Sequence, residues 1–123
     1  MMTLEQSISQ AWEKARPFIE PACRYGEYSI EMIEAKVLSQ KWMVWLGKNC
    51  AWITELFDND LGRCMTIPYC GGDMKELLRN YPRMEQMARE LGCVKLYMMG
   101  RPGWFRVFEK QGFKQEHIIG KRL

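Results

Sequence analysis

The sequence predicts an α+β fold in which helices pack on the faces of a central mixed β-sheet. Apolar residues recur at helical spacing in the first 38 residues and again after residue 73, and this period indicates amphipathic helices. Between these stretches, three short apolar runs are separated by turn residues, as in a β-meander. With 123 residues, of which 47% are apolar, the chain can bury one modest core. We therefore expect a single domain over residues 1–123.

Two helices open the predicted domain. Thr3 and Gln6 have the spacing of a capping box, and Trp12 lies on the apolar stripe that follows, where a core position is expected. Pro17 and Pro21 should interrupt this first helix and leave a short helical turn or a bend up to residue 24. Ser29 can cap the second helix. Its apolar face comprises Ile30, Ile33, Val37 and Leu38.

Three antiparallel strands are expected next, over residues 42–46, 50–57 and 63–69. The turn signals between them are the sequences GKN at residues 47–49 and DNDLG at residues 58–62. Pro68 stands near the end of the third strand. Because proline cannot donate a ladder hydrogen bond, it suits an edge or a place where pairing stops.

The remaining elements alternate between helix and strand. Asp73 with Glu76 three residues later marks the start of the longest helix, which should end at residue 92 and be kinked or split by Pro82. A buried strand is expected over residues 94–99. Pro102 can open a further helix that ends at residue 112, and residues 113–122 read as a final strand.

Composition and cysteine usage exclude several classes of protein. No stretch approaches the roughly 18 apolar residues needed to cross a bilayer, and the first ten residues lack the pattern of a secretory signal. The five cysteines are an odd number with no C-x-x-C pair, which favours reduced, mostly buried thiols and no metal site. A nucleophilic pair of a cysteine with His117, the one histidine, is formally open, but this histidine is typical of a surface position. These features indicate a cytoplasmic protein.

Two segments carry a family resemblance. The long helix ends in ARELGC at residues 88–93, and the last helix ends in FEKQGF at residues 108–113. With the order of elements, these segments make the chain similar to the GNAT superfamily of acyl-CoA N-acyltransferases over residues 3–122, although the first strand of that family has no counterpart. The turns GGD at residues 71–73 and RPGW at residues 101–104 resemble small GNAT-like proteins encoded by tailed bacteriophages.

The resemblance implies a cofactor loop from which this sequence departs. Active family members hold the pyrophosphate of coenzyme A on a Q/R-x-x-G-x-G/A turn before the long helix. Here that turn reads YCGGDM at residues 69–74, without a leading Gln or Arg, and Asp73 is placed to cap the helix where the phosphates would sit. Gly71 and Gly72 are then more typical of an ordinary strand-to-helix turn than of a cofactor-binding loop. In addition, Phe108 replaces the tyrosine that usually protonates the departing thiolate.

These departures favour a non-catalytic protein with neither a cofactor nor catalytic residues. The alternative is an acetyl-CoA-dependent N-acyltransferase with an atypical cofactor loop. In that alternative, Glu55 or a water molecule would be the general base, although strand alternation allows Glu55 to face solvent instead. The residues that could then contact acetyl-CoA are Cys70, Gly71, Gly72 and Arg101.

A protein partner is the expected ligand of the non-catalytic form. Arg101 and Trp104 lie on a rigid turn at the end of a buried strand, and both residue types are frequent binding hot spots. The phage resemblance implies that the partner is a virion component and that the protein resides in the virion or in the host cytoplasm. Nucleic acid is disfavoured because Glu109 and Glu116 interrupt the basic residues of the last third. Those basic residues are Arg101, Arg106, Lys110, Lys114, Lys121 and Arg122.

Overall fold

A computed structural model describes residues 1–100 and 102–123 and confirms the α+β class. One four-stranded sheet has the order β1-β2-β3-β4, and its helices pack on both faces. The helices are α1 (Leu4–Ile19), α2 (Ile30–Leu38), α3 (Met74–Glu90) and α4 (Pro102–Phe108), and the strands are β1 (Met43–Leu46), β2 (Cys50–Asn59), β3 (Gly62–Gly72) and β4 (Lys95–Met98). Short 3₁₀ segments follow α1 (Glu20–Tyr25) and α4 (Glu109–Gln111).

Helix α1 begins at the predicted capping box and continues further than predicted. The Thr3 hydroxyl accepts the Gln6 N–H, and the Gln6 side chain accepts the Thr3 N–H. Pro17 does not interrupt the helix. It lies in the last turn and removes only the hydrogen bond that its own N–H would donate, while the buried residues Ala15 and Ile19 on either side keep the turn packed. Only after Ile19 does the chain tighten into the 3₁₀ segment that contains Pro21.

The sheet is mixed, as predicted. Strands β1, β2 and β3 form an antiparallel meander, and β4 is parallel to β3. At Pro68 the register between β2 and β3 shifts, so that Ile67 and Pro68 lie opposite the single residue Thr54. This bulge reverses the facing of the side chains beyond it. Ile67 therefore packs with α3, whereas Tyr69 packs with α1 and α2.

Two apolar clusters hold the layers together. On one face of the sheet, Trp12 of α1 and Ile33 of α2 pack over Ile53 of β2. The predicted core position of Trp12 is confirmed, and its indole N–H donates to the Glu34 carboxylate at 2.6 Å. On the other face, Leu77 and Tyr81 of α3 pack over β2 and β3. Burial of these large side chains is the main source of stability.

Pro82 does not split α3, which runs as one helix of 17 residues. The buried residues Tyr81 and Met84 keep the turns on either side of the proline packed on the sheet, so that tertiary contacts outweigh the missing N–H. The helix ends as expected, with Gly92 at a φ of 84°.

The predicted final strand over residues 113–122 is wrong. Residues 113–123 have no regular structure and are exposed apart from the half-buried Phe113. Glu116 reaches β4 through its side chain, which forms an ion pair with Lys95, and no backbone ladder joins the two segments. Within the described residues, the five cysteines are free thiols and no helix is long and apolar enough to cross a membrane.

Candidate functional site

A cleft opens where β3 and β4 part. The parallel pairing of these strands covers only Cys64–Ile67, and Met99 N–H makes the last hydrogen bond to the Ile67 carbonyl at 3.0 Å. Beyond this point β3 continues to Gly72, paired with β2 alone. The opening has a volume of about 690 Å³. Its walls include the end of α1, the first 3₁₀ segment, the end of β3 and the start of α4.

The exposed edge of β3 presents backbone groups to this cleft. Asp73 N–H donates to the Asn49 carbonyl at 2.8 Å, and the register then makes Tyr69 and Gly71 the residues whose backbone groups bond to β2. Because backbone groups alternate along a strand, those of Cys70 and Gly72 point away from β2, toward the cleft. An extended ligand could add to this edge as a strand does.

Gly71 and Gly72 line the cleft, and packing requires both of them. A Cβ on Gly71 would collide with the Phe18 carbonyl at the end of α1. Gly72 has a φ of +114°, and a Cβ there would collide with the Asn49 carbonyl. The two glycines therefore let α1 and the β1–β2 turn approach the backbone of β3 closely. This finding supplies a structural reason for the GG sequence without any ligand.

Asp73 caps α3, as the sequence predicts. Its carboxylate accepts the Lys75 N–H at 3.2 Å, and it is the one residue between the end of β3 and the start of α3. No glycine-rich loop separates the strand from the helix. Of the first-turn donors of α3, only the N–H groups of Met74 and Glu76 are left for other acceptors.

Glu76 adds a second carboxylate at this helix end, but it does not complete a capping box with Asp73. Its oxygens instead accept the N–H groups of Lys48 at 3.0 Å and Asn49 at 2.6 Å, across the β1–β2 turn. The residue is only 7% exposed. The hydrogen bond from Asn49 is the main cause that lowers the pKa of Glu76, so this carboxylate is charged at neutral pH.

Phe108 lies in the core. It is 1% exposed, and its ring contacts those of Tyr81, Trp52, Trp104 and Phe113 at centroid distances of 5.5 to 6.2 Å. A phenyl ring has no proton to donate. The residue thus fills an aromatic cluster between α3, α4 and the sheet.

Tyr69 is a cleft residue that sequence reasoning missed as a site candidate. Its hydroxyl accepts the Tyr28 N–H at 3.2 Å and packs against Gly26. Burial raises the pKa of this phenol, so the hydroxyl keeps its proton and can donate it in a hydrogen bond. The signal that could have identified it is its place at the head of the YCGGDM segment, but its facing depends on the bulge at Pro68.

The other predicted site residues lie in different parts of the chain. Cys70 and Trp104 line the cleft, with the Trp104 ring stacked against Gly100. Burial raises the pKa of Cys70 to about 12, so its thiol stays protonated and is a poor nucleophile. Glu55 is half-buried opposite Thr66 and does not line the cleft. Arg101 lies outside the described residues, and His117 is exposed in the C-terminal segment.

Comparisons with known proteins support the fold. No family model matches the sequence, and no curated protein matches it. Among solved structures, the chain is similar to one described as "Crystal structure of a probable acetyltransferase", with a TM-score of 0.67 and 16% identity over 99% of this chain and 93% of that chain. This likeness shows that the chain has a GNAT-like α+β fold.

Proposed function

We propose that this protein keeps the GNAT-like fold without acyl transfer and serves as an interaction module that binds a protein partner in the cleft. One observation carries the proposal. Asp73 caps the end of α3 to which the resemblance assigns the coenzyme A pyrophosphate, and Glu76 adds a second carboxylate there. A diphosphate at that place would meet the exposed Asp73 carboxylate and would find the Lys75 N–H already bonded.

The connection between β3 and α3 supports the same conclusion. A phosphate-binding loop needs several backbone N–H groups that converge on one point. Here Gly72 is still in the ladder opposite Cys50, and Asp73 N–H is bonded to Asn49. Phe108 also lacks the hydroxyl that would protonate a thiolate leaving group. Both binding and chemistry of acetyl-CoA are therefore disfavoured.

The cleft suits an extended segment of a protein partner. Backbone groups of Cys70 and Gly72 offer hydrogen bonds to an added strand, as in β-augmentation. The side walls are largely apolar and aromatic and include Phe18, Tyr69 and Trp104. Tryptophan on a cleft wall is a frequent binding hot spot. We propose Trp104, and Arg101 three residues before it in the sequence, as the contact residues for this partner.

The resemblance to small phage proteins extends the proposal to location. We propose that the partner is a virion component and that the protein acts in the virion or in the host cytoplasm. Mass spectrometry of purified particles tests the virion assignment. Peptides of this chain at a fixed ratio to the capsid protein would support it, whereas their absence from particles would restrict the protein to the host cell.

Calorimetric titration with acetyl-CoA tests the non-catalytic assignment. We expect no binding tighter than about 100 μM, which corresponds to about 5.5 kcal/mol. Tighter binding by the unmodified protein would overturn the proposal. The variant Asp73→Gly is the follow-up, because it removes the carboxylate and should gain affinity if that charge excludes the pyrophosphate.

An N-acyltransferase that holds acetyl-CoA differently is the second candidate, and the open volume of the cleft favours it. Cys70, Gly71 and Gly72 would then contact the cofactor, together with Arg101. Because Glu55 does not line the cleft, a water molecule is the better general base. Release of free thiol from acetyl-CoA, measured with a panel of amines, tests this candidate. Release above the spontaneous rate would favour it over the interaction module.

A further inference from the structure

A second concave site, here called the groove, lies at the start of β4, at the end of this strand opposite the cleft. The second half of α3, residues 93–96 and residues 111–116 form its walls. Its volume is about 420 Å³, within the range of small-molecule sites. Among the residues that the structure describes, none lines both the groove and the cleft. A ligand in the groove is therefore separate from a segment bound in the cleft.

Apolar side chains form the floor of the groove. Tyr81 and Ala88 of α3 line it and are almost fully buried, and the half-buried Leu96 and Phe113 complete the floor. The ring centroids of Tyr81 and Phe113 lie 5.5 Å apart. Aromatic rings pack well against a further ring in an offset or edge-on arrangement. This floor therefore suits a small aromatic group.

Three cationic side chains line the groove, but only two carboxylates accompany them. Glu85 lies 3.5 Å from Arg89 on the same helix, and Glu116 lies 2.7 Å from Lys95. The third cation is Lys114, whose ammonium has no ion-pair partner within the described chain. Because one positive charge remains without a partner, the groove favours an anionic ligand.

The pair between Lys95 and Glu116 shows where a carboxylate is held. Lys95 belongs to β4, and its ammonium lies 4.7 Å from the centre of the Tyr97 ring, a cation–π contact that helps to fix its position. Glu116 lies in the C-terminal segment (residues 113–123), which has no regular structure, and its side chain is 53% exposed. Since exposed pairs of this kind stabilise little, another carboxylate can replace Glu116 on Lys95 at little cost to the fold.

We propose that the groove binds a small carboxylate that carries an aromatic ring. The ring lies on the apolar floor, and the carboxylate binds Lys95 in place of Glu116 and also binds the unpaired Lys114. This assignment uses both features of the groove, its aromatic floor and its unbalanced positive charge. Binding would also release Glu116, and with it the C-terminal segment, from the start of β4. The proposal does not depend on the proposed function.

Titration with 3-phenylpropionate, followed by nuclear magnetic resonance, tests the proposal. We expect saturable shifts of the backbone amides of Lys95, Leu96 and Lys114, with a dissociation constant of about 1 mM or below. The neutral amide of the same acid, 3-phenylpropanamide, has the same ring and no charge. It should bind at least about tenfold more weakly, because it offers no charge to the two lysines.

Two substitutions with matched controls test the roles of the charged residues. Glu116→Gln removes the competing carboxylate and should tighten binding of 3-phenylpropionate about threefold, whereas Lys114→Gln should weaken it about threefold. The controls are Glu109→Gln and Lys110→Gln. They make the same charge changes at exposed residues outside the groove and should leave the affinity unchanged.

All four variants lie at exposed positions, and thermal unfolding shows whether each fold is intact. Several results would overturn the proposal. They are the absence of saturable shifts at about 10 mM 3-phenylpropionate, shifts confined to residues of the cleft, equal affinities for the acid and its amide, and an affinity of Glu116→Gln no higher than that of Glu109→Gln.

Discussion

The substitution Asp73→Asn separates the charge of the helix cap from its hydrogen bond. Asn and Asp are about equally good N-caps, so the bond to Lys75 N–H should persist. Two unit charges about 4 Å apart in water interact by about 1 kcal/mol. This value applies to Asp73 because its side chain is exposed to solvent. A diphosphate carries about two negative charges. The Asp73 carboxylate therefore weakens the binding free energy of a diphosphate by about 2 kcal/mol, which is about 30-fold in affinity.

Calorimetric titration with coenzyme A at low salt measures this effect. We expect Asp73→Asn to bind about 30-fold more tightly than the unmodified protein and the gain to shrink as salt is added. The control is Asp60→Asn, which removes an exposed carboxylate in the β2–β3 turn and should leave affinity unchanged. Equal affinities for Asp73→Asn and the unmodified protein would refute the charge argument. Unfolding free energy should fall by at most about 1 kcal/mol, the helix-dipole contribution.

Three further substitutions test a buried carboxylate, a close backbone approach and the aromatic core. Because the pKa of Glu76 is lowered, its contribution to stability is present above the unfolded-state pKa of about 4.3 and is lost as pH falls through the folded-state value. Glu76→Gln should therefore lower the melting temperature at pH 7 and flatten the decline of the melting temperature at acidic pH. An unchanged pH profile would contradict this role. Gly71→Ala should destabilise the fold by about 1–3 kcal/mol in urea unfolding, because its Cβ meets the Phe18 carbonyl, whereas Gly120→Ala, in open space, should be neutral; equal stabilities would argue against the close approach. Phe108→Ala should cost about 3–5 kcal/mol in the same assay, and a loss below 1 kcal/mol would show that Phe108 is not a core residue.

Local signals explain why much of the fold could be predicted from the sequence. The Thr3 capping box, the turns between the first three strands and the Asp73 cap each depend on residues within a few positions of one another. Apolar residues at helical spacing likewise predict helices α1 and α3. Pro17 and Pro82 misled the prediction, because buried neighbours kept both helices intact and no local rule counts those neighbours.

The parts that could not be predicted depend on long-range contacts. The bulge at Pro68 turns Tyr69 toward α1, and it arises only when β3 is laid against β2. Glu76 has the spacing of a capping box but binds the β1–β2 turn, 27 residues away. Residues 113–123 include strand-forming residues, but strand formation also requires a partner edge. The sequence therefore located the cleft segment, while its geometry required the structure.

The central claim is that the amino end of α3 offers no place for a nucleotide diphosphate. Amide chemical shifts of Met74, Lys75 and Glu76, followed by nuclear magnetic resonance during titration with coenzyme A, test it most directly. We expect these three amides to remain unperturbed up to about 100 μM ligand. Saturable shifts of these amides below that concentration would contradict the claim.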